Sequence, residues 1–209
     1  MSDCNRLIYV HDPMCSWCWG FRPNFENLCK QLPAGLSVNR LLGGLAPDND
    51  QPMPAELQSK LQDTWRRIQT RIPGTRFNFN FWRNCHPRRS TWPACRAVVV
   101  ARQSDPSLES PMIEAIQRAY YLEARNPSDT DTLAALASQL GLDAVDFAIR
   151  LDAAETHDIL EQEITQARRM GADSFPSLRL QIDQSFWPVP VDYTEVRPML
   201  ETIQSLLES

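Results

Sequence analysis

The chain has 209 residues, of which 43% are hydrophobic and 22% charged, and its net charge is −5 at pH 7. This length fits one domain, or one domain that carries an insertion, and the hydrophobic fraction is enough for a sizeable core. The negative charge, without a long basic run, argues against nucleic acid as a partner, and no apolar run approaches the roughly 18 residues that span a bilayer.

The start of the chain predicts a cytoplasmic location. Its first apolar run, Leu-Ile-Tyr-Val at 7–10, is shorter than the roughly 7–15 apolar residues of a signal peptide. Cytosolic thiols are reduced by default, so the six cysteines need not form structural disulfides. Four of them, Cys4, Cys29, Cys85 and Cys95, lack regular spacing, and we interpret them as small hydrophobic residues. A second redox pair between Cys85 and Cys95 stays open.

The first part of the chain is predicted to form a βαβ unit. The continuous apolar run 7–10 is typical of a central strand covered on both faces. Residues 11–14 form a turn, and a helix is expected from about 15 to 30, with a kink at Pro23 because proline lacks a backbone donor. Residues 36–42 are predicted to form the second strand, which ends at two glycines.

The middle of the chain is predicted to be helical. Leu57, Leu61, Trp65 and Ile68 recur at helical spacing. Alternating Phe and Asn at 77–81 is typical of a short strand or an extended loop. Further helices are predicted at 94–102, 111–123, 132–140 and 143–151, with Ser110 as the N-cap that precedes Pro111. We interpret residues 49–156 as a helical insertion.

The last part is predicted to have the order α, β, β, α. A helix at 157–170 precedes a strand at 177–182, and a second strand at 186–191 contains two prolines, which places it at a sheet edge. Asp192 and Glu195 are predicted to form a capping box for an amphipathic terminal helix. Residues 1–48 and 157–209 would together make the α/β core.

The motif Cys15-Ser16-Trp17-Cys18 opens the first helix directly after the first strand. Residues i and i+3 share a helix face, so both sulfurs can meet in a disulfide. Unpaired N–H groups and the macrodipole at the helix N-terminus favour a thiolate at Cys15. Cys15 is therefore predicted to be the nucleophile, and Cys18 the thiol that resolves a mixed disulfide.

Two other interpretations of the motif are half of a zinc site and a pair of core cysteines. A zinc site needs two more ligands at suitable spacing, and the sequence has no second C-x-x-C. The adjacent pair Cys85-His86 would make an irregular site. We therefore predict redox chemistry and no metal.

Two segments carry a family resemblance: Asp-Pro-Met-Cys-Ser-Trp-Cys-Trp-Gly-Phe at 12–21 and Gly-Ala-Asp-Ser-Phe-Pro-Ser at 171–177. With βαβ at one end and ββα at the other, the chain resembles the thioredoxin fold with a helical insertion, the DsbA-like branch, and most closely its cytosolic bacterial members. The resemblance implies an α/β protein that acts as a thiol–disulfide oxidoreductase, of the protein disulfide reductase or isomerase type. Protein or peptide thiols and disulfides would be its partners, and it would need no cofactor beyond the Cys15–Cys18 disulfide, with glutathione as a candidate reductant.

The resemblance also implies a site around the motif. Pro176 would be cis and would lie beside the C-x-x-C, so that the backbone of Phe175 could pair with an extended substrate segment. Ser16 and Trp17 would belong to the same substrate-binding surface. His11 is close in sequence and would either help to stabilise the Cys15 thiolate or pack in the core.

Two functions of other kinds remain as alternatives. The chain is also similar to glutathione-dependent kappa-class transferases and 2-hydroxychromene-2-carboxylate isomerases, which share the fold with inserted helices. Those enzymes typically carry serine where Cys15 stands, so the presence of both thiols counts against this reading. A non-enzymatic holdase would use the aromatic side chains as a client surface. Nothing in the sequence indicates the oligomeric state.

Overall fold

The computed structural model describes residues 5–208, so Cys4 lies outside the described residues. The chain divides into two compact units: the described parts of Met1–Gly43 and Glu163–Ser209 form the first, and Gly44–Gln162 forms the second. The predicted limits of the insertion, 49 and 156, remain predictions; the compact units divide at 43/44 and 162/163.

Residues 5–208 contain four strands and nine α-helices. The strands are β1 Arg6–His11, β2 Ser37–Leu42, β3 Ser177–Ile182 and β4 Ser185–Val189. The helices are α1 Ser16–Gln31, α2 Ala55–Arg71, α3 Phe81–Asn84, α4 Trp92–Ser104, α5 Glu109–Tyr121, α6 Thr130–Gln139, α7 Ala144–Leu151, α8 Ala154–Arg169 and α9 Arg197–Leu207. A short 3-10 helix at Pro106–Leu108 precedes α5.

The first unit is built on a mixed sheet of strand order β2-β1-β3-β4. β1 pairs with β2 in parallel and with β3 antiparallel, and β4 pairs with β3 antiparallel. β1 is therefore central, as its continuous apolar run predicts, and residues 7–11 are all buried. The strand that contains Pro188 lies at the edge, as predicted, because proline cannot donate to a ladder.

Alternate side chains of β1 enter the cores on the two faces of this sheet. Leu7 and Tyr9 pack with α1, β3 and α9 on one face. Ile8 and Val10 pack with the end of α8 on the other. The helix α1 continues through Pro23. Because side chains alternate along a strand, β1 packs against helices on both faces of the sheet. A short turn then connects it to α1.

The second unit has a core of aromatic side chains around Trp65, which is fully buried. The other rings of this cluster belong to Phe77, Phe79, Phe81, Trp82, Tyr120 and Tyr121, with ring centroids 4.8–6.1 Å from that of Trp65. The helical spacing that predicts α2 therefore also predicts a core position for this tryptophan.

A buried arginine ties α4 to the segments on either side of it in the chain. The guanidinium of Arg96 is 5% exposed and forms an ion pair with Asp48 at 2.7 Å. Its Nε donates to the carbonyl oxygen of Leu151 at 2.9 Å, and Asp152 lies 3.5 Å away. Burial of the charge is tolerated because several acceptors surround it.

Of the two alternatives predicted for residues 77–81, the structure has the loop and not the strand: 77–80 are loop and turn, and Phe81 starts α3, because the three phenylalanine rings all pack against Trp65. Two predictions of helix starts were wrong. Ser110 does not cap α5, which begins at Glu109 after the 3-10 helix. Asp192 accepts from the N–H groups of residues 194 and 195, but that turn ends before α9, whose N-cap is Val196.

Candidate active site

The turn between β1 and α1 places Cys15 at the helix N-terminus. Cys15 is the N-cap of α1, with φ −78° and ψ 117°. Its N–H donates to the carbonyl oxygen of Asp12 at 3.0 Å, and the N–H of Met14 donates to the Asp12 carboxylate at 2.8 Å. Asp12 is fully buried, and its carbonyl and carboxylate oxygens stabilise the turn that orients the Cys15 thiol. This role could not be predicted from its position in the sequence.

The two thiols of the motif differ in exposure. Cys15 is 6% exposed and Cys18 is 0% exposed, and both are free thiols. Burial raises the pKa of the Cys18 thiol well above its ordinary value, and the hydrogen bond and electrostatic interaction with Cys15 act in the same direction, against a hydrogen bond to the Asp12 backbone. Cys15 is thus the more exposed of the two thiols, and burial favours the protonated form of Cys18.

The segment at Phe175 and Pro176 lies against the first thiol. The Phe175–Pro176 peptide bond is cis, the conformation that the resemblance implies. The Cys15 thiol donates to the Phe175 carbonyl oxygen at 3.5 Å. The structure therefore brings together two segments that are 160 residues apart in the chain.

Gly43, which directly follows β2, makes room for the Phe175 ring. A Cβ atom at position 43 would lie 2.0 Å from Cε1 and 2.2 Å from Cζ of that ring. The Gly43 N–H also donates to the carbonyl oxygen of His11 at 2.7 Å. Sequence reasoning treated this glycine only as the end of a strand, because its contact comes from a distant segment.

The aromatic surface next to the motif includes a residue that the sequence did not single out. Trp17 is half-buried, and its ring packs against Tyr193 at a centroid distance of 5.1 Å. Tyr193 in turn packs edge-on against Phe21 at 5.8 Å. Ser16 is buried at 9% exposure in the first turn of α1. The substrate-binding roles of Ser16 and Trp17 remain predictions.

His11 and Tyr9 lie on the same face of β1 and stack on each other, with ring centroids 4.9 Å apart. His11 is 1% exposed and Tyr9 is 5% exposed. The influence of His11 on the Cys15 thiolate remains a prediction. Tyr9, predicted only as a strand residue, also packs its ring against Phe25 of α1 at a centroid distance of 4.1 Å.

The other described cysteines lie away from the motif in the chain and are free thiols. Cys29 is half-buried against the core of the first unit, as expected of a small hydrophobic residue. The Cys85 thiol donates to the carbonyl oxygen of Ala124 at 3.1 Å, and Cys95 is fully buried. Within residues 5–208, no group of three or more His, Cys, Asp or Glu side chains is placed to hold a metal ion.

Comparison with models of known protein families identifies the family of this chain. The model of the DSBA-like thioredoxin domain matches residues 6–189. The chain belongs to this family. Its fold class is thus the DsbA-like thioredoxin fold with a helical insertion, as predicted, and the family is one of thiol–disulfide oxidoreductases.

Solved structures resemble the whole chain. A candidate protein disulfide isomerase from Nitrosomonas europaea has 27% identity and a TM-score of 0.84, over 99% of this chain and 98% of that one. The cytosolic disulfide reductase DsbM from Pseudomonas aeruginosa has 25% identity and a TM-score of 0.75, over 97% and 98% of the two chains. Its structure with glutathione has a TM-score of 0.74, at 25% identity over 98% and 100%.

Two further comparisons give no information on function. A 2-hydroxychromene-2-carboxylate isomerase has 13% identity and a TM-score of 0.64, over 97% of this chain and 95% of that one, which shows a common fold alone. A search of curated protein sequences found no match. In the described part of the chain, every helix is too short or too polar to cross a membrane.

Proposed function

We propose that this protein is a disulfide reductase or isomerase that acts by thiol–disulfide exchange through Cys15 and Cys18. One observation carries the proposal: the N-cap thiol of α1 is the more exposed of two neighbouring thiols, and it contacts the carbonyl of the residue before a cis proline. This arrangement offers a nucleophile, a resolving thiol and a backbone acceptor within one small site.

In the proposed first step, the Cys15 thiolate attacks one sulfur of a substrate disulfide. A bond forms between Cys15 and that sulfur, and the other substrate sulfur leaves as a thiolate that takes up a proton. The N–H groups at the start of α1 favour the attacking anion. The Phe175 carbonyl, released when Cys15 becomes covalently bound, is then available to accept a substrate backbone N–H.

In the second step, Cys18 loses its proton and attacks the sulfur of Cys15, which expels the remaining substrate thiolate. The product is a Cys15–Cys18 disulfide and a fully reduced substrate. Two electrons from a thiol reductant then restore both cysteines. We propose glutathione as that reductant, since it has been seen bound to the related reductase DsbM.

The reductive direction follows if the protein works in the cytoplasm, as we propose from its likeness to a cytosolic reductase. Even a pair as oxidising as about −120 mV would stay reduced in a cytosol near about −250 mV. The gap of about 130 mV corresponds to about 6 kcal/mol in favour of the dithiol. Reduction or isomerisation of disulfides is therefore favoured over net oxidation.

Insulin reduction by dithiothreitol tests this function. The wild-type protein should accelerate the precipitation of reduced insulin chains, and Cys15→Ser should abolish the acceleration. Cys29→Ser is the matched control, because it removes a half-buried thiol of the same helix and should retain the activity. Glutathione-dependent turnover of a small electrophile that survives Cys18→Ala, without insulin reduction, would instead support a transferase or isomerase.

A further inference from the structure

Glu163 is a carboxylate inside the first unit rather than at its surface. It belongs to α8 and is 8% exposed. Ala167, four residues further along the same helix, packs in the core with Ile8 and Val10 of β1. Residues i and i+4 share a helix face, so Glu163 lies on the side of α8 that faces the sheet. A buried carboxylate is costly unless it is hydrogen-bonded, and its partner therefore shows what it does there.

The partner is a backbone group at the edge of the sheet. The N–H of Leu42, the last residue of β2, donates to Oε2 of Glu163 at 2.8 Å. The next N–H, that of Gly43, donates to the carbonyl oxygen of His11 on β1 at 2.7 Å. Successive N–H groups of an extended chain point to opposite sides, and β2 is an edge strand. Glu163 thus takes the place of a further strand for the Leu42 N–H.

These two hydrogen bonds fix the backbone on which the Phe175 ring rests. Gly43 has no side chain, and the ring fills the space of a Cβ atom there, with Cε1 2.0 Å from the position of that atom. The main chain of Gly43 is held by β1 on one side and, through Leu42, by Glu163 on the other. The carbonyl oxygen of Phe175 accepts from the Cys15 thiol at 3.5 Å.

The hydrogen bond to Glu163 can be removed by a mutation that leaves the atoms of the site in place. Leu42 is 1% exposed, and a buried N–H without an acceptor costs free energy, which the backbone relieves by moving toward water. The end of β2 would shift, and the surface that holds the Phe175 ring would shift with it. A displacement of about 1 Å that starts far from the chemistry is enough to slow a reaction.

We propose that Glu163, through its hydrogen bond with Leu42, is a positioning residue that keeps the Phe175 carbonyl in place for a peptide substrate. This inference rests on the proposed exchange mechanism, in which that carbonyl accepts a backbone N–H of the substrate. Glu163 takes no part in the transfer of protons or electrons. It favours disulfides within an extended peptide over small disulfides, which have no backbone N–H to donate.

The test compares two disulfides that release the same coloured thiolate. One is a short extended peptide whose cysteine carries thionitrobenzoate, and the other is 2-mercaptoethanol that carries the same group. The parent protein is Cys18→Ala, in which Cys15 bonds to the peptide or mercaptoethanol sulfur and thionitrobenzoate leaves. The signal of Cys15→Ala/Cys18→Ala, which reports the other thiols, is subtracted. The measured quantity is the ratio of the two second-order rate constants, peptide over small disulfide.

In Glu163→Ala this ratio should fall by about three- to tenfold, the effect of one net hydrogen bond between substrate and protein. The rate with the small disulfide should stay close to that of the parent, because Cys15 remains at the N-terminus of α1. Glu163→Gln should keep the parent's ratio, since its amide oxygen can accept the same N–H. Glu163→Asp keeps the charge but is one methylene too short, and it should behave like Glu163→Ala.

Glu161→Ala is the matched control, because it removes an exposed carboxylate from the same helix, and it should leave both rates unchanged. Circular dichroism confirms that each variant is folded under the assay conditions. An unchanged ratio in folded Glu163→Ala or Glu163→Asp would overturn the inference, as would an equal fall with both disulfides, which a general loss of structure produces. A ratio in Glu163→Gln as low as in Glu163→Ala would also overturn it, because the charge rather than the hydrogen bond would then matter. Failure of the parent to react through Cys15 with either disulfide would instead overturn the proposed function.

A second measurement asks whether the effect of Glu163 passes through the Phe175 ring. Phe175→Ala removes the ring that rests on Gly43, so adding Glu163→Ala to that variant should lower the ratio no further. Effects that pass by independent routes would multiply instead. Multiplied effects in the double variant would show that Glu163 does not act by seating this ring, and the inference would be wrong.

Discussion

Replacing Gly43 by alanine would place a Cβ atom inside the contact surface of the Phe175 ring. The built Cβ lies 2.0 Å from Cε1, 2.2 Å from Cζ and 2.7 Å from Cδ1, whereas carbon atoms normally approach to about 3.5–4.0 Å. The ring must therefore retreat by about 1.5 Å or more. The φ of Gly43 lies outside the left-handed region, so the cost is steric rather than a cost in the backbone.

Overpacking of this kind costs about 1–3 kcal/mol, and we expect Gly43→Ala to reduce the free energy of unfolding by this amount. It should also slow the reaction of Cys15 with a peptide disulfide, since the ring and the carbonyl that accepts from Cys15 belong to the same residue. Urea unfolding of the reduced protein measures the first effect, and the rate of mixed-disulfide formation measures the second.

The double variant separates this clash from any other cost. Phe175→Ala removes the ring, so Gly43→Ala should cost little in that background, and the two free-energy changes should differ from additivity by about 1–3 kcal/mol. Additivity to within about 0.5 kcal/mol would show that the glycine does not make room for Phe175. The account of how this segment is placed beside Cys15 would then be wrong.

Two further predictions concern a buried thiol and a buried charge. Folded Cys18 holds its proton to higher pH than unfolded Cys18, so the unfolded state binds fewer protons above pH of about 8.5. The free energy of unfolding of the reduced protein should therefore fall above that pH, by up to about 1.4 kcal/mol per pH unit. Cys18→Ala should flatten this dependence, and an equally steep fall in that variant would contradict the assignment of the effect to Cys18. Arg96→Lys should lower the free energy of unfolding in urea by about 2 kcal/mol, because a lysine ammonium lacks the planar guanidinium that binds Leu151 and Asp48 together. Arg66→Lys, in an exposed ion pair, should lower it by less than about 1 kcal/mol. Equal costs for the two variants would refute the role of burial.

Local signals in the sequence were sufficient for much of the fold. The strands at 7–10 and 177–182 and the helix after Cys15 follow from runs and periods of apolar residues, which depend on neighbours in the chain. Helix ends were predicted less well. Ser110 has the right chemistry for an N-cap, but α5 already begins at Glu109, directly after the 3-10 helix at Pro106–Leu108. Asp192 binds N–H groups as an N-cap does, but in a turn that α9 does not continue.

The part of the candidate site that lies in one short motif could be predicted from the sequence. The positions of Cys15 and Cys18 follow from their spacing, and the placement of Phe175 against Cys15 was expected only from the family resemblance. The contribution of Gly43 could not be predicted from the sequence. It depends on a contact with Phe175 that forms only once the distant segments of the chain have packed together, and no sequence pattern indicates it.

Trapping of the mixed disulfide tests the central claim most directly. The variant Cys18→Ala keeps the proposed nucleophile and lacks the thiol that would release its partner, so it should accumulate an adduct with a peptide disulfide. Peptide mapping by mass spectrometry before and after dithiothreitol locates the bond, with Cys15→Ala/Cys18→Ala as the control. We predict a reducible adduct on Cys15 that the control lacks; an adduct confined to Cys29 or Cys85, or none at all, would contradict the mechanism.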